Sequence, residues 1–75
     1  MPVRKRSVTI AGHRTSYSVE DDFFALLKRA ADEDGRSLAS LIAEIDEKRA
    51  RDSNLSSALR LYVLGEALKG RFPES

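Results

Sequence analysis

The chain has 75 residues, with 13 Lys plus Arg, 12 Asp plus Glu, one His and no Cys, and a net charge of +1. That length allows one small domain, which buries only about 60% of its unfolded surface and is marginal without ideal helix packing or oligomerisation. The composition excludes disulfides, thiolate metal sites, cysteine nucleophiles and two-histidine metal sites, and no apolar run approaches the roughly 20 residues of a membrane span or follows the basic start as a signal peptide requires.

A soluble, cytoplasmic protein with no membrane partner is therefore expected. The small net charge hides an asymmetry. Residues 1–18 carry Arg4, Lys5, Arg6 and Arg14 and no acid, whereas 19–35 carry six acids against Lys28 and Arg29. A basic segment of this kind suggests an anionic partner, although a solvated basic tail has the same composition.

Taken in order, residues 1–12 read as a basic N-terminal arm. Within it, "SVTI" (7–10) alternates Val8 and Ile10, a weak strand signal, and Gly12 interrupts it as a bulge or turn would. Residues 13–19 alternate more clearly. Thr15, Tyr17 and Val19 share one face of an extended chain, and Arg14, Ser16 and Ser18 the other. An isolated strand leaves its backbone groups unpaired, so this one needs a partner. The candidates are "SVTI" and the same segment of a second copy.

A first helix is expected over about 20–34. Ser18 and Asp21 have the spacing of a loose capping box, and Glu20, Asp21 and Asp22 favour the positive end of the helix dipole. Val19, Phe23, Leu26, Leu27 and Ala30 make its apolar face, and Gly35 stands where a glycine closes a helix. Ser37 then caps a second helix, over about 37–50, with the stripe Leu38, Leu41, Ile42 and Ile45 and a Glu44–Lys48 pair on its outer face. The polar break 51–57 leads into a third helix over about 55–69, capped by Ser53 or Asn54 and closed by Gly70 and Pro73. This helix is apolar around most of its axis, the pattern of a helix covered on several sides, and reads as a subunit contact.

The inventory offers no catalytic constellation. His13 stands alone, the glycines are isolated rather than grouped in a phosphate loop, and the acids at 20–22 are explained by the helix start. No catalytic residue, cofactor or metal is expected, and the protein is not read as an enzyme. The strand–helix–helix order is more informative, because a two-stranded ribbon is one of the few elements that enter the major groove of B-DNA. Paired 13–19 segments would turn Arg14, Ser16 and Ser18 outward together. An outward arginine can bond guanine in bidentate fashion, and serine hydroxyls can donate or accept at several base edges.

The stretch "RTSYSVEDDFFALLKRAADEDGRSLASLIAEI" resembles the ribbon-helix-helix DNA-binding family, the Arc/MetJ/CopG class. The likeness covers about residues 13–50. Taken with "RKRSVTIAGHRTSYSVE" and "NLSSALRLYVL", it extends to a subfamily of short bacterial proteins. It implies a mainly α fold with one short strand, 13–19, paired antiparallel across an intertwined homodimer. The core of that dimer would be Thr15, Tyr17, Val19, Phe23, Leu27, Leu38, Leu41, Ile42 and Ile45. The base-reading positions fall on Arg14, Ser16 and Ser18, and the phosphate anchor on Arg36 and Ser37. Free N–H groups at a helix start support that anchor on physical grounds. Arg4, Lys5, Arg6 and His13 would add phosphate contacts.

Two features depart from the family pattern. Two of the three reading positions are short serines, so specificity would rest on Arg14, on Thr9 if the strand extends backward, or on DNA shape. The segment 51–75, a third helix and a tail, is additional. It would extend the dimer, join dimers into a tetramer, or hold a partner protein. The expected function is a sequence-specific transcriptional regulator bound to double-stranded DNA. The alternative is a protein-binding dimerisation module, an antitoxin or adaptor, that uses helix 55–69.

Overall fold

In the computed structural model, which describes residues 3–73, Ala11 and Gly12 both have positive φ, 51° and 82°. Two successive residues in that region are what a two-residue type I′ hairpin turn requires. They join strand β1 (Val3–Ile10) to strand β2 (His13–Glu20) in an antiparallel ribbon, with Ile10 opposite His13 and Val3 opposite Glu20. The ribbon is thus closed within one chain.

This corrects the expectation of a single strand following a basic arm. Residues 3–10 are a full strand that contains the weak signal at 7–10; residues 1–2 of the expected arm, and 74–75 of the expected tail, lie outside the described residues. Of the two candidate partners of 13–19, it is β1, the strand containing "SVTI", that pairs with it within this chain. The physical reason lies in Arg6. It occupies an inward register position that periodicity assigns to an apolar residue, and its guanidinium lies over the Phe24 ring, 3.5 Å from the centroid.

Strand β2 runs directly into helix α1 (Asp21–Glu33). The N-cap is Glu20, which makes no side-chain cap hydrogen bond, so the expected capping role of Ser18 is overturned. Ser18 is held in the strand, and the helix start relies on Asp21 and Asp22 in its first turn. At the other end Gly35, at φ 66°, closes a Schellman motif. Its N–H donates to the Asp32 carbonyl at 3.1 Å and the Arg36 N–H to the Ala31 carbonyl at 3.0 Å. Helix α2 (Leu38–Lys48) follows, with Ser37 Oγ accepting from the Ser40 N–H at 3.0 Å. Helix α3 (Leu55–Leu68) is capped by Asn54, whose Oδ1 accepts from the Ser57 N–H at 2.8 Å.

The core forms where the inner face of the ribbon meets all three helices. Val19, Leu27, Ile42 and Leu59 are its largest fully buried side chains. Burying one such aliphatic group contributes roughly 1.5–3 kcal/mol. Of the residues expected in a dimer core, Tyr17, Val19, Leu27, Leu41, Ile42 and Ile45 are buried within one chain, and Thr15, Phe23 and Leu38 are half-buried. Helix α3 buries Leu55, Leu59 and Val63 but leaves Leu61, Leu64 and Leu68 exposed.

The segment after α3 is part of the fold. Gly70, at φ 85°, ends the helix and turns Arg71 back across the domain. The Arg71 guanidinium donates to the Ala30 carbonyl at 3.0 Å and to carboxylates of Asp34, Glu66 and Glu33 at 2.7, 2.6 and 3.1 Å. These contacts tie the end of α1 to α3, and Phe72 enters the core beside them.

Candidate nucleic-acid interface

The register of the ribbon sorts its side chains. Arg4, Arg6, Val8 and Ile10 of β1 share the inner face with Thr15, Tyr17 and Val19 of β2. The outer face carries Lys5, Ser7 and Thr9 from β1 opposite Ser18, Ser16 and Arg14 from β2. All of these are exposed except Ser18, which is half-buried. The expected reading positions Arg14, Ser16 and Ser18 do lie together on one outward face. A second row that sequence reasoning largely missed, Lys5, Ser7 and Thr9, stands beside them.

Eight residues per strand make a ribbon about 26 Å long. The major groove is about 12 Å wide and admits such an element. Between Lys5 and Thr9, and between His13 and Ser18, the chain has no acid. Glu20 lies at the far end of this face, where Arg60 Nε donates to its carboxylate at 2.9 Å. The Arg60 hydrogen bond holds the Glu20 carboxyl below the usual range. The central outer face therefore presents two cations and four hydroxyls. Arg14 Nη2 donates to Ser7 Oγ across the ribbon at 3.0 Å, which orients the guanidinium over the centre of the face.

The free edge of β2 is partly covered. In a two-residue hairpin the flanking Ile10–His13 pair exchanges hydrogen bonds, so Ser18, five residues on, points its backbone groups away from β1. The Ser18 N–H donates to Ser56 Oγ at 2.8 Å, and its carbonyl accepts from Arg60 Nη2 at 3.2 Å. The start of α3 thus caps the strand where a further strand would otherwise pair.

The expected phosphate contacts divide. Lys5 stands on the outer face, and His13 is exposed at the turn. Arg4 is exposed at the open end of the ribbon, with Nε 3.3 Å from Asp21. Arg6 faces inward, stacked on Phe24 and 3.4 Å from Asp21, so it is not presented as a phosphate contact. Its Nε is buried without a hydrogen-bond partner, a cost that the stacking offsets. Arg36 folds back along α2, bonded to Ser40 Oγ at 2.8 Å and paired with Glu44. Glu44 also accepts from Lys48 at 2.8 Å, and the two cations lower its carboxyl to about 2. Ser37 spends its hydroxyl on the α2 cap.

Among the described residues, no group of three or more His, Asp or Glu is arranged to hold a metal ion, and no helix is long and apolar enough to cross a membrane. A family model described as a ribbon-helix-helix domain matches residues 3–67. That span takes in the 13–50 stretch and also the longer patterns "RKRSVTIAGHRTSYSVE" and "NLSSALRLYVL" quoted above, and so includes β1 and most of α3. No curated protein and no solved structure matches the chain.

Proposed function

The chain belongs to the ribbon-helix-helix family, whose members typically bind DNA, form dimers and act as regulatory modules rather than enzymes, and on that premise we propose that it is a sequence-specific transcriptional regulator of double-stranded DNA. The ribbon β1–β2 enters the major groove with its outer face toward the bases. The observation that carries this reading is the outer face itself: Lys5, Ser7, Thr9, Arg14, Ser16 and Ser18 on adjoining strands, with no acid among them.

Arg14 is the principal base-reading residue. Its guanidinium is the longest donor at the centre of the face and matches guanine O6 and N7. The hydroxyls of Ser7, Thr9 and Ser16 supply short-range contacts that tolerate several bases. Lys5, Arg4 and His13 serve the phosphates on either side. The N-terminus of α2 at Ser37 offers backbone N–H groups to a further phosphate. Short side chains read few bases directly, so DNA shape supplies the rest of the specificity. Selection of bound duplexes from a random pool tests this reading. Enrichment of a defined motif supports it, and recovery of an unenriched pool contradicts it.

The alternative is a protein-binding module, an antitoxin or adaptor, that holds its partner through α3. The exposed Leu61, Leu64 and Leu68 favour it. Capture of a specific partner protein that is lost on changing Leu64, with no DNA motif selected, would place the protein in this class.

A further inference from the structure

Glu20 is the one acid in the two strands of the ribbon. It stands opposite Val3 in the outer row, beyond Arg14, Ser16 and Ser18, and so belongs to the face assigned to DNA. It is also the N-cap of α1, yet its side chain makes no cap hydrogen bond. The carboxylate is engaged elsewhere. Arg60 Nε, on α3, donates to Glu20 Oε1 at 2.9 Å from forty residues away in sequence.

Two further contacts fix Arg60 there. Its Nη2 donates to the Ser18 carbonyl at 3.2 Å. Ser56, one turn earlier on the same face of α3, accepts from the Ser18 N–H at 2.8 Å. The guanidinium therefore lies between the backbone of one outward residue and the carboxylate of the next. The Arg60 hydrogen bond holds the Glu20 carboxyl below the usual carboxylate range, so Glu20 is ionised at neutral pH. The following acid, Asp21, meets Arg4 and Arg6 at 3.3 and 3.4 Å. Both acids at the passage from β2 into α1 are thus paired with arginine.

Granted the contact of the ribbon with DNA, on which this rests, we propose that Arg60 is a DNA-affinity residue supplied by α3, which neutralises Glu20 at the end of the reading face and holds its carboxylate on α3. Duplex DNA carries one negative charge per roughly 1.7 Å of its axis, so a bare carboxylate beside it is repelled. The Debye length is about 8 Å at physiological salt, which leaves the phosphates that flank the end of the ribbon within reach of Glu20. With both side chains present their charges cancel. Loss of Arg60 leaves a net negative charge at this end of the face, and loss of the Glu20 charge leaves a positive one. Stability does not account for the pair. Arg60 and Glu20 are 33% and 29% exposed in their side chains, and an ion pair at such exposure contributes little to folding.

The test is a double-mutant cycle on the full chain, read by fluorescence anisotropy at low salt with a mixed-sequence duplex two helical turns long. Circular dichroism should show every variant folded, because the Glu20 side chain caps nothing in α1 and the pair adds little stability. R60Q should weaken binding by about fivefold, E20Q should tighten it by a similar factor, and E20Q/R60Q should return to the wild-type affinity. The differences should shrink as salt is raised. R60Q and E20Q both weakening binding would overturn the inference, because breaking a structural brace from either side acts in one direction. R60Q binding as tightly as the wild type would overturn it too, while leaving the DNA reading in place. A wild type that binds no duplex at low salt would remove the DNA reading and this role of Arg60 together.

Discussion

Arg14 reaches diagonally across the ribbon to Ser7, Nη2 to Oγ, at 3.0 Å. The contact joins the two rows of the outer face and holds the guanidinium between them. R14A should fold as the wild type does, because the side chain is exposed, and should lose about 1–3 kcal/mol of binding to a selected duplex. S7A should lose less, through looser orientation of Arg14. Fluorescence anisotropy titrations with the selected duplex measure both. Equal affinity of R14A and wild type would remove Arg14 from the reading face.

The basic residues at the start of β1 should separate by register. Lys5 faces outward, and K5A should reduce the salt dependence of DNA binding by about one unit of slope. Arg6 faces inward over Phe24. R6L keeps apolar cover on that ring and removes the unpartnered Nε, so it should leave the slope unchanged and shift stability by no more than about 1 kcal/mol. Titrations at several salt concentrations, with thermal melts alongside, distinguish the two sites. A flatter slope in R6L would show that Arg6 turns outward to meet phosphate.

The hairpin turn holds a built-in strain. Ala11 adopts φ 51°, a region that costs a residue with a Cβ roughly 1–2 kcal/mol. A11N creates the Asn-Gly pair that suits a type I′ turn and should stabilise the chain by about 0.5–1 kcal/mol, a rise in Tm of a few degrees. Differential scanning calorimetry at low concentration checks this. An unchanged or lower Tm would mean that β1 and β2 do not share this turn in solution.

That turn also marks where the sequence was hard to read. The three helices were legible within a few residues, because their stripes and caps are local; Ser37, Asn54, Gly35 and Gly70 all act where their types suggest. Strand β1 was not, because its inward positions hold Arg4 and Arg6 and its turn is Ala-Gly rather than Asn-Gly. The alternation of Lys5, Ser7 and Thr9 against Val8 and Ile10 was present, but four basic or hydroxyl residues in a row of five read as an arm. The roles of Arg60, Arg71 and Phe72 rest on contacts some 40 residues apart in sequence, which no local pattern carries. Of the candidate site, the outward face of β2 was legible from period two alone. Its neighbours on β1 depended on knowing the partner strand.

Acid should weaken the fold in a definite window. Glu44 has its carboxyl lowered from 4.5 to about 2 by Lys48 and Arg36. A depressed carboxyl contributes stability that is present above its unfolded value and is lost as pH falls through the folded one. The Glu44 contribution is therefore intact above about pH 4.5 and disappears toward pH 2. Glu33 and Glu66, both lowered first by Arg71, shift in the same direction. Urea melts from pH 6 to pH 2 should show E44Q less stable than wild type at pH 6, with the difference vanishing at the acid end. A difference that persists at pH 2 would mean that the charge of Glu44 is not its source.

On the proposed function, the outer face of a ribbon made by one chain meets DNA. Amide chemical-shift mapping of the full chain with a selected duplex tests it most directly. The largest shifts are expected on Lys5, Ser7, Thr9, Arg14 and Ser16, with Leu64, Gly65 and Leu68 unmoved. Shifts concentrated on α3, with the ribbon unmoved, would contradict it.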